Sequence, residues 1–297
     1  MPKRINRAIE LLEQDQPIYY TGGHTGANLT FEGGKAMVHT YADYINVGME
    51  HGSFDMPGLE QFMNGLVAGG PTNSGHRTPT VVVEVPVDGA SGDIVRANAW
   101  QFRQILAWGV HGILMCHAET PDAVKAFVES CRYPFQKIGV GKGLDVGRRG
   151  SAGQASAAPI WGVEIDEYLD KADPWPLNPD GELMLGLKIE NTRALVNVEV
   201  TTRVPGITFA EWGPGDMSMS MGYKNAPGEP WPDELWEARE RVRKACAAAG
   251  IAFLEGATPD TIAQKIDEGV RVVSSGGPLG EATAKAGRAH SGRTMPV

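Results

Sequence analysis

The chain has 297 residues, of which 42% are hydrophobic and 21% are charged, and its formal net charge is −9. This composition is ordinary for a globular protein, and the length suits one large α/β barrel or two smaller domains. The negative charge argues against nucleic acid or an anionic membrane as the main partner, so neither is expected, and small-molecule chemistry is favoured.

The first element along the chain is a short charged amphipathic segment, for which we predict a helix over residues 3–14. It lacks the apolar stretch of a secretory signal peptide, so we expect a cytoplasmic protein. The three cysteines, Cys116, Cys131 and Cys246, are scattered and show no CxxC spacing. They indicate reduced thiols rather than a disulfide framework or a structural zinc site.

Short apolar runs alternate with helical stretches along the chain. The eight predicted strands cover residues 17–21, 44–49, 80–85, 112–116, 183–190, 207–213, 251–254 and 270–274. Near-continuous apolar strands need cover on both faces, which is typical of parallel sheets. No linker or fixed-period repeat divides the chain, so we predict one domain over residues 1–297, folded as a single (β/α)8 TIM barrel.

Two further segments complete the predicted layout. Residues 135–159 are rich in glycine and are predicted to form a lid loop over the barrel mouth. A last helix is predicted over residues 278–289, followed by a polar tail.

Two consecutive strand-to-helix junctions each carry one carboxylate. Glu190 ends an apolar strand, and Asp216 follows the turn Gly213-Pro214-Gly215 at the start of the next helix. An aspartate at such a place is often only a helix cap that accepts a bond from a backbone N–H. Together with the acid upstream, however, it also suits a hard divalent cation that keeps waters and takes oxygens from its substrate.

Active sites of such barrels lie at the carboxyl ends of the strands. The polar residues at those ends include, in chain order, His24, Glu50, His51, Glu84, His117, Lys188, Glu190, and then Glu211 with Asp216. The sequence therefore predicts an acid-rich mouth. Lys188 and Glu190 are two apart on a strand and should face the same way, whereas Cys116 and His117 are neighbours and should face opposite ways. We interpret Cys116 as a buried, inert thiol.

Several ordered motifs resemble the HpcH/HpaI class II pyruvate aldolases. The segment from Gly213 to Gly222 is similar to the family's metal-binding Gly-Pro-x-Asp-Leu-Ser motif, and the segment ending in Glu190 is similar to the strand that carries the other metal ligand. Met49-Glu50-His51 resembles the family's Glu-His pair, whose histidine is the catalytic base. Arg132-Tyr133-Pro134 and Arg149-Gly150 match its Arg-Tyr-Pro and later Arg-Gly positions.

This resemblance implies a barrel of the phosphoenolpyruvate/pyruvate-binding type and a class II aldolase that cleaves or forms a carbon–carbon bond next to a 2-oxo acid. It implies that Glu190 and Asp216 bind Mg²⁺, Mn²⁺ or Co²⁺, and that the ion stabilises an enolate. His51, with Glu50 beside it, would transfer the proton.

Further implications concern the substrates and the assembly. The substrate carboxylate would lie at the turn Gly213-Pro214-Gly215, where it would meet the N–H groups of Gly215 and Asp216. The expected partners are a 2-oxo acid, an aldehyde and further copies of the chain. By resemblance the assembly is a hexamer or a trimer of dimers, in which the last helix packs on a neighbouring subunit.

Several positions depart from the family pattern, among them Cys116-His117, which stands where Pro-Met or similar small apolar residues are common. The aspartate that orients the histidine in typical members is replaced by Gly48, and Glu84 stands where an arginine normally grips the keto oxygen. A glutamine two residues before the metal-binding glutamate is replaced by Lys188. We interpret Lys188 as the source of the lost positive charge, paired with Glu84. A purely structural ion pair and a Schiff-base lysine are the alternatives.

The remaining candidates are less specific. His24 and His117 could be extra acid/base groups, substrate donors or ordinary histidines, and Arg149 could reach the distal end of the substrate. Two other functions stay open. One is decarboxylation of an oxaloacetate-like acid at the same metal site, and the other is a non-catalytic binding barrel. Burial of His51 away from the metal would favour the second.

Overall fold

The computed structural model describes residues 2–24, 28–224 and 230–297. Within these ranges every strand pairing is parallel. The strands are β1 (Ile18–Gly23), β2 (Tyr44–Gly48), β3 (Thr80–Asp88), β4 (Gly112–Cys116), β5 (Pro174–Trp175), β6 (Leu183–Ile189), β7 (Phe209–Trp212), β8 (Ala252–Gly256) and β9 (Val270–Ser274). β1 pairs with both β2 and β9, and β4 pairs with β6, so eight strands close into a barrel while the two-residue β5 adds only to β6. The predicted (β/α)8 barrel is confirmed.

Helices surround the barrel, and many begin at a polar cap. Thr120 accepts a hydrogen bond from the N–H of Ala123, and Pro121 takes the first position, where no N–H is needed. The helices are α1 (Arg7–Leu12), α2 (Phe31–Met37), α3 (Met56–Gly69), α4 (Gly92–Ala97), α5 (Ala99–Ala107), α6 (Pro121–Cys131), α7 (Gln154–Trp161), α8 (Ile165–Lys171), α9 (Thr192–Val196), α10 (Val198–Thr201), α11 (Pro214–Ser220), α12 (Asp233–Ala249), α13 (Ile262–Asp267) and α14 (Gly280–His290). No helix in the described ranges is both long and apolar enough to span a membrane.

The interior of the barrel is filled by alternate strand residues. One buried layer consists of Tyr20, Tyr44, Val82, Leu114, Met184, Phe209, Leu254 and Val272. Gly186 makes room for this layer, because a Cβ at that position would lie 2.3 Å from the ring of Phe209. The layer forms a packed floor, so any ligand has to bind above it, at the carboxyl ends of the strands.

Helix α1 closes the opposite end of the barrel. Its Ala8, Ile9 and Leu11 pack into the interior layer. Asn6 caps the helix and donates to the carbonyl of Glu182, just before β6, while Arg7 donates to the carbonyls of Ala42 and Asp43, just before β2. The amino ends of the strands are therefore covered.

The predicted strand limits agree with the structure to within three residues, but the predicted lid is wrong. Helix α6 returns the chain to the amino ends of the strands, so the glycine-rich segment that follows lies there. Arg132 binds Asp173, just before β5, and a Cβ on Gly143 would contact Pro205, ahead of β7. Residues 135–159 also contain the start of α7 at Gln154. The segment is at the closed end, remote from the mouth.

Candidate active site

A buried lysine lies at the centre of the barrel mouth. The Nζ atom of Lys188 is 2.6 Å from Oε2 of Glu50, 2.6 Å from Oε1 of Glu84 and 3.2 Å from Oε2 of Glu190. The Lys188 side chain is only 3% exposed. Three carboxylates from three different strand ends therefore share one ammonium group, which satisfies its three donors.

Glu84 also binds a histidine and an amide. Nδ1 of His24, at the end of β1, is 2.9 Å from both oxygens of Glu84, and Nδ2 of Asn46 on β2 donates to Oε2 at 3.2 Å. Glu84 is fully buried, whereas 42% of the His24 side chain is exposed. A buried carboxylate thus orients a histidine that reaches solvent.

A second histidine contacts a different carboxylate of the cluster. His117 directly follows β4 and adopts a left-handed backbone conformation with φ 45°. Its Nδ1 is 3.0 Å from Oδ1 of Asp88, and its Nε2 is 3.5 Å from Oε1 of Glu190. The structure therefore brings His117 to the predicted metal ligand Glu190.

Burial and charge set the protonation of this cluster. Burial raises the pKa of Glu190 to about 7, against the opposing charge of Lys188, and raises the pKa of Glu211 to about 8. Burial acts in the same direction on Glu84, yet the hydrogen bond from His24 and the charge of Lys188 hold the pKa of that carboxyl well below its usual range. The same hydrogen bond raises the pKa of His24.

Lys188 stays charged in these surroundings. Burial alone would lower its pKa, but the neighbouring carboxylates, Glu190 and then Glu211, raise it well above the ordinary value. A Schiff-base nucleophile needs the opposite shift, because only the neutral amine attacks a carbonyl. The arrangement favours a fixed positive charge over a nucleophile.

The mouth fits a hard divalent cation on its own geometry. Glu50, His117 and Glu190 each offer one donor atom, and these atoms lie within 4.8 Å of one another. Oε1 of Glu190 is buried and makes no hydrogen bond within the described residues. A buried carboxylate oxygen without a donor is costly, and a metal ion would satisfy it.

The other predicted ligand, Asp216, is the third residue of α11 and is half-buried. It does not cap the helix, since Gly213 holds the cap position and makes no side-chain bond, so the cap interpretation is wrong. Among the described residues Asp216 belongs to no three-donor group, but its charge helps to raise the pKa of Glu190. Gly213 is needed close to Glu190, because a Cβ there would lie 2.9 Å from Oε2.

The turn before Asp216 has the composition of an anion cradle, but it opens a short helix. Pro214 has no N–H, and the N–H groups of Gly215 and Asp216 belong to the first turn, where no intrahelical acceptor is available. Helix α11 has only seven residues. Substrate contacts of Gly213, Pro214 and Gly215 remain predictions.

His51, the predicted base, is at the mouth but is loosely held. Its side chain is 51% exposed, and its Nε2 is 3.4 Å from Oε2 of Glu50, the oxygen that Lys188 already binds. His51 is therefore not buried away from the site, which removes the condition that would have favoured a non-catalytic barrel.

Arg149, a predicted substrate contact, is not part of this site. It lies in the glycine-rich segment at the closed end of the barrel and is 3% exposed. Its guanidinium stacks on Tyr133, 4.5 Å from the ring centroid, and donates to the hydroxyl of Tyr168. The prediction was wrong because the segment follows α6 and so lies at the amino ends of the strands.

Two residues of the site escaped the sequence analysis as members of the cluster. Asn46 was not considered, although Tyr44, Asn46 and Gly48 share the inward face of β2 by simple alternation. Glu211 appeared only as an acid near Asp216, yet it pairs in register with Lys188 across β6 and β7. The alternation of β2 and β7 was the signal that could have found both.

Fold and site together define the class as a (β/α)8 barrel whose mouth holds a buried lysine among metal-compatible carboxylates. A family model described as HpcH/HpaI aldolase/citrate lyase matches residues 86–280, and the chain belongs to that family. A hydroxypyruvate/pyruvate aldolase of Cupriavidus necator is 30% identical over 187 residues, which cover 62% of each protein. The match thus spans less than two thirds of that curated relative.

Solved structures share the fold. An HpcH/HpaI aldolase/citrate lyase family protein from Burkholderia cenocepacia J2315 superimposes with a TM-score of 0.70 at 21% identity, over 96% of this chain and 97% of the other. A citrate lyase β subunit from M. tuberculosis, solved with oxaloacetate and magnesium, gives a TM-score of 0.55 at 13% identity, over 92% and 97%.

Proposed function

We propose that this protein is a divalent-metal-dependent carbon–carbon lyase, an aldolase that cleaves or forms a bond next to the carbonyl of a 2-oxo acid. The observation that carries the proposal is the mouth cluster. Lys188 holds Glu50, Glu84 and Glu190 together, while Oε1 of Glu190, beside His117, receives no hydrogen bond from the part of the chain that the structure describes. The named relative, a hydroxypyruvate/pyruvate aldolase, supports the substrate class.

Glu190 and Asp216 are the residues that would hold the ion, with Glu50 or His117 as further donors. Magnesium in the related citrate lyase β subunit supports the choice of Mg²⁺ or Mn²⁺. When bound, the ion would polarise the 2-oxo group as a Lewis acid, which stabilises the negative charge that develops when the carbon–carbon bond breaks. The protein has to provide orientation, charge and a proton.

Lys188 provides the charge. Its ammonium is fixed by two 2.6 Å contacts and cannot swing away, so it presents a preorganised positive field to oxygens that gain negative charge. The family arginine that Glu84 replaces would have contributed such a charge. We propose that Lys188 substitutes for it from β6, across the barrel.

Decarboxylation is the second candidate, and one observation favours it. The citrate lyase β subunit that shares the fold was solved with oxaloacetate. Oxaloacetate is a 2-oxo acid, and its loss of CO₂ develops negative charge at the same carbon next to the 2-oxo group. Release of CO₂ rather than an aldehyde separates the two reactions.

The proposal is tested by proton exchange on pyruvate. In D₂O, ¹H NMR should show loss of the methyl signal with Mg²⁺ or Mn²⁺ and not with EDTA, and aldehydes should then give a condensation product. Oxaloacetate consumption with CO₂ release but without methyl exchange or condensation would instead favour the decarboxylase. A wild-type protein that does neither, with either metal, would contradict both.

A metal-binding measurement gives an independent readout. Mn²⁺ titration followed by electron paramagnetic resonance should show one site, weakened at least about tenfold in Glu190→Gln. Glu182→Gln is a matched control, because Glu182 is equally buried but lies at the closed end, bonded to the N–H of Asn6. Equal Mn²⁺ affinity in both variants and wild type would place the ion elsewhere.

A further inference from the structure

We propose that His24, held by Glu84, is the proton-transfer residue of this site, and that Gly48 is what allows it to be. The inference rests on the proposed function and deepens it. The observations that carry it are the path of the chain after β1, the missing side chain at position 48 and the contacts of the two histidines at the mouth.

The missing side chain at Gly48 lets the chain after β1 come close to β2. β1 and β3 flank β2, with Gly23 paired to Val47 and Gly48 paired to Glu84. A Cβ on Gly48 would lie 2.2 Å from the carbonyl oxygen of Gly23 and 2.4 Å from the carbonyl carbon of His24. The backbone after β1 therefore occupies the space that a side chain at position 48 would need.

This close approach places His24, which follows β1, beside Glu84 on β3, at the far side of β2. Nδ1 of His24 is 2.9 Å from both oxygens of Glu84, which is fully buried and fixed by Nδ2 of Asn46 and by Nζ of Lys188. Because the carboxylate accepts the Nδ1 proton, exchange with a substrate falls to Nε2. A carboxylate that fixes the tautomer and orientation of a histidine is how general bases are prepared in other enzymes.

His51 has a weaker arrangement. Its Nε2 is 3.4 Å from Glu50, whose oxygen is taken by Lys188 at 2.6 Å, and 51% of its side chain is exposed. Its backbone N–H is 3.4 Å from the carbonyl oxygen of His24, so the two histidines are neighbours at the mouth. Among the described residues, His24 has a fully buried carboxylate partner, whereas the partner of His51 is the partly exposed Glu50.

The proton balance needs no other reactant. In the cleavage direction, Nε2 of His24 takes the proton of the substrate's 4-hydroxyl, and the O–H electron pair becomes the second bond of the aldehyde carbonyl. The C3–C4 bond breaks, and its electron pair moves to C3 in conjugation with the 2-oxo group. The same nitrogen then returns the proton to C3, which gives pyruvate and neutral histidine.

The first test compares two substitutions in the pyruvate exchange assay. His24→Gln should lower kcat for methyl exchange by about 100-fold or more, as expected for the loss of a general acid–base group. The loss in His51→Gln should be at least about tenfold smaller, and added imidazole should restore part of the rate of His24→Gln. Mn²⁺ affinity should stay within twofold of wild type in both.

The second test uses Gly48, which carries no polar group. Gly48→Ala should show the exchange defect of His24→Gln, because the added Cβ displaces His24. Gly256→Ala is the matched control, since a Cβ at that end of β8 meets no atom of residues 2–24, 28–224 or 230–297 within 4 Å. A Gly48→Ala variant that exchanges the methyl protons at the wild-type rate would overturn the proposed role of Gly48.

The role of Glu84 is read by spectroscopy rather than by rate. In ¹⁵N-histidine NMR, with the His24 signals assigned by their absence in His24→Gln, the wild-type ring should be protonated at Nδ1. Glu84→Gln should shift it towards the Nε2 tautomer. An unchanged tautomer would overturn the positioning role.

The two proposals fail in different ways. Methyl exchange at the wild-type rate in His24→Gln, together with loss of exchange in His51→Gln, would overturn the role of His24. The lyase function would be unaffected by that result. A wild-type protein without metal-dependent exchange or condensation overturns the function and, with it, the catalytic role of His24.

Discussion

At the scale of single residues, Lys188 shows what strand alternation can and cannot predict. Its two-residue spacing from Glu190 predicted that both side chains face the interior. Its contact with Glu84 was expected because Glu84 replaces a family arginine while Lys188 adds a positive charge. The structure shows that contact at 2.6 Å. What spacing could not show is that Glu50 joins the same ammonium, because that contact depends on how the ends of β2 and β6 meet in a closed barrel.

Lys188→Met should destabilise the protein by about 3 to 5 kcal/mol, because it leaves buried carboxylates without their shared cation. Urea unfolding followed by circular dichroism measures this. Lys171→Met is the control, since Lys171 is one-third exposed and pairs with the half-exposed Glu167, so its loss should cost less than about 1 kcal/mol. Equal costs for the two variants would mean that the buried cluster adds no stability.

The contact between Gly48 and His24 could not be predicted from the sequence. The absence of an aspartate at position 48 was visible in the sequence, and His24 was visible as a polar residue after a strand. Their connection was not, because it depends on how closely the backbone at Gly23 and His24 approaches Gly48 in three dimensions. Alternation along β2 would have placed Asn46 on the inward face, but its bond to Glu84 depends on the contact between β2 and β3.

At the scale of elements, the helical character of α1 was predictable but its position was not. A charged amphipathic segment was expected, and six of its residues form a helix. Its place under the barrel follows from the apolar triplet Ala8, Ile9 and Leu11, which completes the interior layer. Such a contact joins residues far apart in the chain, so no local pattern encodes it.

Ile9→Ala should lower the free energy of unfolding by about 2 to 5 kcal/mol, because Ile9 is fully buried in the floor of the barrel and truncation leaves a cavity. Leu12→Ala, on the same helix but only partly buried, should cost less than half as much. Chemical denaturation of both variants gives the comparison. A larger effect at Leu12 would mean that α1 packs by its other face.

The glycine-rich segment was misplaced for a physical reason. Its composition indicated a loop, but composition says nothing about which end of a barrel a loop occupies. Chain direction does: a segment after a helix in a strand–helix repeat lies at the amino ends of the strands. Arg149 is thereby stacked between Tyr133 and Tyr168 at the closed end instead of facing substrate.

At the scale of the whole molecule, acid stability should depend on one histidine of the closed end. His111 is fully buried, its Nδ1 accepts from the N–H of Val81, and its ring stacks on Trp161. Burial lowers its pKa to about 3. Below pH 6.5 the unfolded chain binds a proton that the folded protein refuses, so the stability present above that pH is lost as the pH falls towards 3.

The expected contribution of His111 is a loss of about 1.4 kcal/mol per pH unit in this window. His111→Asn keeps an acceptor for the N–H of Val81 but removes the titration. Urea unfolding at pH 7, 6, 5 and 4 should show a shallower decline for this variant than for wild type. Parallel declines would mean that His111 is protonated in the folded state.

The fold itself was the most predictable property, because eight apolar runs between helices leave few arrangements in which both faces of every strand are covered. Closure of the barrel by the pairing of β4 with β6 is a long-range contact that the runs imply only collectively. The sequence predicted that Glu190, Lys188, Glu84 and His24 belong to the site, but of the contacts among them it predicted only the pair of Lys188 with Glu84.

The close approach of the chain at Gly48 limits how the mouth can be redesigned. While the chain at Gly23 and His24 keeps its course, any side chain at position 48 would start 2.2 Å from a carbonyl oxygen. A single substitution of Gly48 by aspartate therefore cannot create the aspartate–histidine pair with His51 that typical family members have. That pair becomes possible only if the chain at Gly23 and His24 moves as well, so the two changes have to be made together.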